Sequence, residues 1–105
     1  MLDELRLLMD DEFASVLNNY RHITPKLMGE LQVAISRRQT EDVVRLSHRI
    51  KSASAQIGAI RFASMAKDIE RFAKMGNLKP AQGLFAKASK VYQHVDTALR
   101  MIEQS

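Results

Sequence analysis

His48 and Lys51 are the side chains of this chain best placed to do chemistry. They stand three residues apart in the segment His48-Arg49-Ile50-Lys51-Ser52-Ala53-Ser54-Ala55-Gln56-Ile57-Gly58. At about 100° per residue, Val43, Leu46, Ile50, Ala53 and Ile57 fall on one stripe, the signature of an amphipathic helix with a buried side. His48 lies about 160° around that helix from Ile50 and so faces water. Arg45, Lys51, Ser52 and Ala55 are three, four or seven positions from His48 and share its face. Ser52 and Ala55 are short, which leaves the imidazole standing above its neighbours, within reach of something as large as a protein. The pattern describes an accessible ring nitrogen offered to a partner, with an ammonium one turn away and a glycine, Gly58, closing the segment.

Other chemistries fit less well. Three histidines on three helices could in principle bind zinc, but no His-x-x-x-His and no carboxylate pairing supports it, and no metal site is expected. His22 and His94 have no surroundings like those of His48 and read as structural or surface residues. A serine nucleophile at Ser47, Ser52 or Ser54 would need an oriented base and exclusion of water; the sequence reveals no third group to orient His48, and a bundle surface is open. The absence of cysteine removes disulfides, thiolate zinc sites and cysteine nucleophiles together.

The elements that must hold these residues read as helical throughout. Proline occurs only at 25 and 80 and glycine only at 29, 58, 76 and 83, and nothing alternates at period two for long enough to make a strand. A short first helix is expected from Leu2 to about Met9. A second begins at the acidic run Asp10-Asp11-Glu12, carries Phe13, Val16, Leu17 and Tyr20, and resumes after Pro25 through Leu27, Met28, Leu31, Ala34 and Ile35. Pro25 either kinks this helix or divides it. Gln39 or Thr40 caps the helix bearing His48, with Glu41 and Asp42 in its first turn.

After Gly58 another helix runs from Ala59 to about Met75, with Ile60, Ala63, Ala66 or Lys67, Ile69 or Glu70, and Ala73 at inward spacing. Gly76-Asn77-Leu78-Lys79-Pro80 ends it. A last helix extends from about Ala81 to Ile102, turning Leu84, Ala88, Val91, Val95, Ala98, Leu99 and Ile102 inward. Met9, Met28, Met65, Met75 and Met101 read as core filler. The fold class expected is all-α: one domain over residues 1–105, an antiparallel four-helix bundle with a short additional N-terminal helix.

The 105 residues suit one core without room for a deep substrate cavity. The start, Met1-Leu-Asp-Glu-Leu-Arg, is acidic and lacks the pattern of a signal peptide, and no apolar run approaches a membrane span. A soluble, cytoplasmic monomer that does not engage membranes is expected. Sixteen basic residues outweigh twelve acidic ones, with a pI near 9.7, which favours acidic partners. From Arg37 to Lys51 five basic residues (Arg37, Arg38, Arg45, Arg49, Lys51) face two acidic ones (Glu41, Asp42), so positive charge gathers around the histidine.

Leu46-Ser47-His48-Arg49-Ile50-Lys51-Ser52-Ala53-Ser54-Ala55-Gln56-Ile57-Gly58-Ala59 resembles the signature of histidine-containing phosphotransfer (HPt) domains. In that family a His, a Lys three residues on, a small residue after it and a Gly ten residues after the His recur. Leu8-Met9-Asp10-Asp11-Glu12-Phe13 with Tyr20 and Pro25-Lys26-Leu27 is similar to the family's lead-in, and the helix passing Asp68-Ile69-Glu70 resembles the family's next helix, so the likeness covers nearly the whole chain. Ser52 departs from the pattern: the family more often carries glycine there, and serine is still small.

The resemblance implies a carrier in multistep two-component signalling. His48 would accept a phosphoryl group from a receiver-domain aspartate through Nε2 and pass it to another receiver. Lys51 would offset charge on the phosphoryl oxygens. A free imidazole titrates near pH 6.5, so near neutrality much of it has a lone pair to attack phosphorus. The partners implied are receiver domains of response regulators or hybrid sensor kinases, whose acidic pocket would bring the Mg²⁺ and meet Arg45, Arg49 and Lys51. Ser52 and Ala55 would leave room for the partner, and Val44 and Ile60 would add apolar contact. With no P-loop, no kinase-type glycine loop and no carboxylate cluster for magnesium, the chain is expected to be no enzyme and to bind no cofactor itself. Two rivals remain: an HPt-like adaptor that docks without carrying phosphate, and a basic nucleic-acid binder. The latter is disfavoured by low aromatic content and the lack of a recognition motif.

Overall fold

The computed structural model describes residues 11–103, and among these residues it is wholly helical, without a strand. The four helices are α1 (Asp11–Ser36), α2 (Thr40–Gln56), α3 (Ile60–Lys74) and α4 (Lys79–Glu103). The short helix expected from Leu2 to Met9 lies outside the described residues. α1 packs on α2 and α4, α2 on α3, and α3 on α4. One core cluster takes side chains from all four helices.

Pro25 stands inside α1, which continues through it as one element, so the sequence's open question is answered against division. The ring is on the exposed side of the helix, away from the packed core. At the start of α4, Pro80 occupies the first turn rather than the stop before it; amides there have no intrahelical partner in any case. Gln39 occupies the N-cap of α2 without a side-chain cap bond, so the acidic Glu41 and Asp42 in the first turn carry the favourable interaction with the helix dipole.

Three connections share one closing geometry. Gly58 (φ 83°) and Gly76 (φ 72°) take left-handed backbone after α2 and α3. In each case two successive amides fold back: Gly58 N–H on Ala55 and Ala59 N–H on Ser54, Gly76 N–H on Ala73 and Asn77 N–H on Phe72. This is the glycine-closed helix end, in which orphan carbonyls are satisfied. The turn after α1 repeats it, with Arg38 N–H on Ile35 and Gln39 N–H on Ala34, but the left-handed residue is Arg38 at φ 56°. A side chain there costs about 1 kcal/mol relative to glycine. Arg38→Gly is therefore expected to stabilise the protein by about 1 kcal/mol, a rise of about 4–8 °C in melting temperature for a domain of this size. An unchanged or lower Tm by circular dichroism would contradict it.

The interior follows the helical stripes with some changes of register. Val43, Leu46, Ile50 and Ile57 of α2 are buried as expected. On α3 the large buried side chain is Phe62, while Ile60, expected inward, is 52% exposed. Both are apolar and two positions apart, so helical angle rather than hydropathy decides between them. Val16 is also on the outside, and Met75 and Met101 are exposed rather than core filler; Met28 is buried and Met65 partly so. Tyr92 of α4 meets Phe62 at 5.2 Å and Tyr20 at 6.3 Å between ring centroids. Tyr20 and Ser54 share a buried hydroxyl hydrogen bond of 2.7 Å that ties α1 to the end of α2. Burial pushes the Tyr20 phenol up to about 12 despite hydrogen bonds with Ser54 and Thr24. Asp96 of α4 takes both Arg21 of α1 (3.3 Å) and Arg100 (2.9 Å). The α2–α3 pair, anchored in this way from behind, presents the surface on which His48 stands.

Candidate functional site

Val43, Leu46, Ser47 and Ile50 bury one side of α2, and this fixes the opposite side outward. His48 is on it, with its side chain 55% exposed. α3 runs alongside, burying Phe62, Ala63, Ala66, Ile69 and Ala73. On that same buried stripe stands Glu70, whose side chain is only 6% exposed. A buried carboxylate needs partners, and it has three. His48 Nδ1 lies 2.9 Å from Glu70 Oε2. Lys51 Nζ reaches Oε1 at 3.3 Å, and Lys74 Nζ, one turn further along α3, reaches Oε2 at 3.3 Å.

Burial alone pushes the Glu70 carboxyl up. The hydrogen bonds from His48, Lys74 and Lys51 outweigh it and hold the group below its ordinary value, so it is an anion at neutral pH. An anion accepts hydrogen bonds and donates none. The imidazole nitrogen facing Glu70 therefore carries the proton, and in the neutral ring Nε2 is left with the lone pair. The ring presents that nucleophilic nitrogen away from α3, on the exposed side.

Glu70 thus supplies the third group that no reading of the sequence revealed. The expectation that nothing orients His48 is corrected. The signal was present as a carboxylate on an otherwise apolar stripe, at a position where Ile69 and Glu70 both fitted the inward spacing. Both are buried. Lys51 is also placed differently from the expectation of a solvent-facing lysine: it is half-buried and paired to Glu70.

The other expected site residues divide by position. Arg45, Arg49, Ser52 and Ala55 are exposed on α2 and Val44 is half-buried. Arg45 pairs weakly with Asp42 at 3.3 Å, an exposed contact worth little, so its charge remains available to a partner. Gly58 closes α2 ten residues after His48; its role is the left-handed turn. Ile60 stands ten residues before Glu70, about 15 Å along α3, which places it away from His48. From α3 come cations the sequence analysis did not assign to the site: Lys74, and the exposed Lys67 and Arg71 one turn before and one residue after Glu70. His22 and His94 are exposed on α1 and α4.

Among the described residues no group of three or more His, Cys, Asp or Glu side chains gathers as metal ligands, and no helix is long and apolar enough to cross a membrane.

Comparison with known proteins adds two findings. The family model described as "Hpt domain" matches residues 15–105. The structure superposes on the crystal structure of histidine-containing phosphotransfer protein B (HptB) from Pseudomonas aeruginosa PAO1 with a TM-score of 0.90. The match spans 98% of this chain and 90% of that one, at 22% identity. No curated protein matches the sequence at a significant level.

Proposed function

Since the chain belongs to the Hpt domain family, we propose that it is a phosphoryl carrier: His48 takes a phosphoryl group from a receiver-domain aspartate and hands it to another receiver in two-component signalling. The single observation that carries this reading is the 2.9 Å contact between His48 Nδ1 and the buried Glu70 carboxylate. It selects the tautomer with a free lone pair on the outward nitrogen. That lone pair attacks phosphorus as the aspartyl P–O bond breaks and the carboxylate leaves. The Nδ1 proton stays on the ring, shared with Glu70, and the product is a phosphorylated imidazolium. No proton need be lost, and the step reverses by the same path.

The chain supplies positioning and charge, and the receiver supplies the rest. The aspartate and Mg²⁺ belong to the partner's acidic pocket, so the carrier needs no cofactor and no kinase activity of its own. It works as one domain, an antiparallel bundle, monomeric and cytoplasmic. Arg45, Arg49 and Lys51 steer the acidic face toward His48, Val44 adds apolar contact, and Ser52 and Ala55 are short enough to admit it.

The test is transfer from a panel of receiver domains precharged with a small acyl phosphate. An acid-labile, alkali-stable label on the wild type, formed fastest with one receiver, supports the reading; no label from any receiver defeats it. Charge reversal at Arg45 or Arg49 is expected to slow transfer about tenfold in dilute buffer by slowing association. The deficit should shrink as salt screens the exposed charges. Wild-type rates for both variants at low salt would remove the steering role.

A further inference from the structure

The two nitrogens of the His48 ring look toward different sides of α2. Nδ1 is turned to Glu70 of α3, and Lys51, which also reaches Glu70, lies about 60° around α2 from His48 on that side. Ser52 lies about 40° from His48 in the other direction, with Arg45 at about 60° and Arg49 at about 100°. Both arginines line recesses that α2 shares with α1. With Nδ1 held on the α3 side, Nε2 is directed away from it, to the side of Ser52. Side chains on a helix lean toward its N-terminal end, so Ser52 covers the turn that starts at His48, their Cβ atoms about 5–6 Å apart.

The Ser52 hydroxyl is also the one left uncommitted on this helix. Of the serines of α2, the buried Ser47 donates to the Val43 carbonyl and the buried Ser54 shares its hydrogen bond with Tyr20. Ser52 is exposed, and among the described residues none takes its hydroxyl, so water solvates it in the resting protein. A receiver closing over His48 removes that water, and a hydroxyl left there without an acceptor is unfavourable. The acceptor that every transfer brings to the Nε2 side is the phosphoryl group, whose oxygens take charge-assisted hydrogen bonds.

We propose that Ser52 is a phosphoryl-binding residue: its hydroxyl donates a hydrogen bond to a phosphoryl oxygen as the group arrives on His48 Nε2 and while it stays there. This rests on the reading of His48 as the acceptor. The hydroxyl keeps its proton throughout, so the bonds that form and break are those of the transfer already described. A side chain that served only to leave room for the receiver would be replaced without loss by alanine or glycine.

The experiment uses the whole protein phosphorylated chemically with phosphoramidate, and the ³¹P resonance lost in His48→Gln identifies the site. Ser52→Ala removes the hydroxyl, changes no charge and suits a helix, so the variant should fold. A donated hydrogen bond favours the phosphoryl dianion over the monoanion. Its loss in Ser52→Ala is expected to raise the phosphoryl titration midpoint by about half a unit, and Ser52→Thr, which keeps a hydroxyl, should hold it near the wild-type value. The equilibrium share of phosphate on His48 against a receiver should fall about three- to tenfold in Ser52→Ala. A midpoint that stays in place in Ser52→Ala, or that rises as far in Ser52→Thr, overturns the assignment and leaves Ser52 as a residue that gives room. Because the titration needs no receiver, it separates this outcome from failure of the carrier reading. A wild type that takes phosphate from phosphoramidate but from no receiver defeats the relay and leaves Ser52 to be judged by its titration. A His48 that no donor phosphorylates defeats both.

Discussion

His48→Gln is expected to fold like the wild type and to take no phosphoryl group from any receiver. The side chain is 55% exposed and fills no core position, so its replacement opens no cavity. The buried Glu70 keeps Lys51 and Lys74, which means no carboxylate is left unpaired, and the loss of one hydrogen bond costs about 1 kcal/mol or less. Chemistry fares differently. An amide nitrogen has its lone pair delocalised into the carbonyl and does not attack phosphorus, so transfer should fall by at least about 10³-fold, to the background of the assay. Circular dichroism melts with receiver binding would establish the fold, and label counting would establish the loss. Label persisting on the variant would move the acceptor elsewhere, with His22 and His94 the exposed alternatives. Equal binding of a receiver by both proteins, with label on neither, would make the chain a docking adaptor.

The parts of this molecule that were legible in its sequence are those fixed by local period. The stripe of Val43, Leu46, Ile50 and Ile57 determines which way α2 faces, and the exposure of His48 follows from angle alone. Gly58 and Gly76 announce left-handed turns because glycine is the residue that adopts them without penalty. Arg38 takes the same conformation and announces nothing, since the turn is set by the hydrogen bonds around it rather than by its own preference. At the start of α3, hydropathy ranks Ile60 and Phe62 alike, and only the helix's rotation against its neighbours separates the exposed one from the buried one. Glu70 shows the same limit at the site. Its burial depends on partners that include His48 and Lys51 of another helix; the pattern of threes and fours marks a carboxylate at an inward position but does not name partners 22 positions away.

The second large effect is expected at Glu70, where Glu70→Gln keeps the volume and removes the charge. The carboxylate can only accept, which holds the proton on His48 Nδ1. The amide can turn either its oxygen or its NH₂ to the ring, and the second choice favours the tautomer with a blocked Nε2. Loss of an orienting partner of histidine costs about 10–100-fold in metal sites, and a similar fall in the transfer rate at saturating receiver is expected, with receiver affinity little changed. Nitrogen NMR of the ring would show the tautomers directly.

The pH dependence has a definite sign. Glu70 is held below its ordinary value in the folded protein, against about 4.3 in the unfolded chain. Its contribution to stability is then complete above about pH 4.3 and is lost as pH falls through the folded value. Urea unfolding of the wild type minus that of Glu70→Gln should be level near neutrality and should drop below about pH 4. Wild-type transfer rates in Glu70→Gln would sink the orienting role, since the uncharged partner would then serve as well. A stability difference unchanged between neutral and acid pH would sink the ion-pair account.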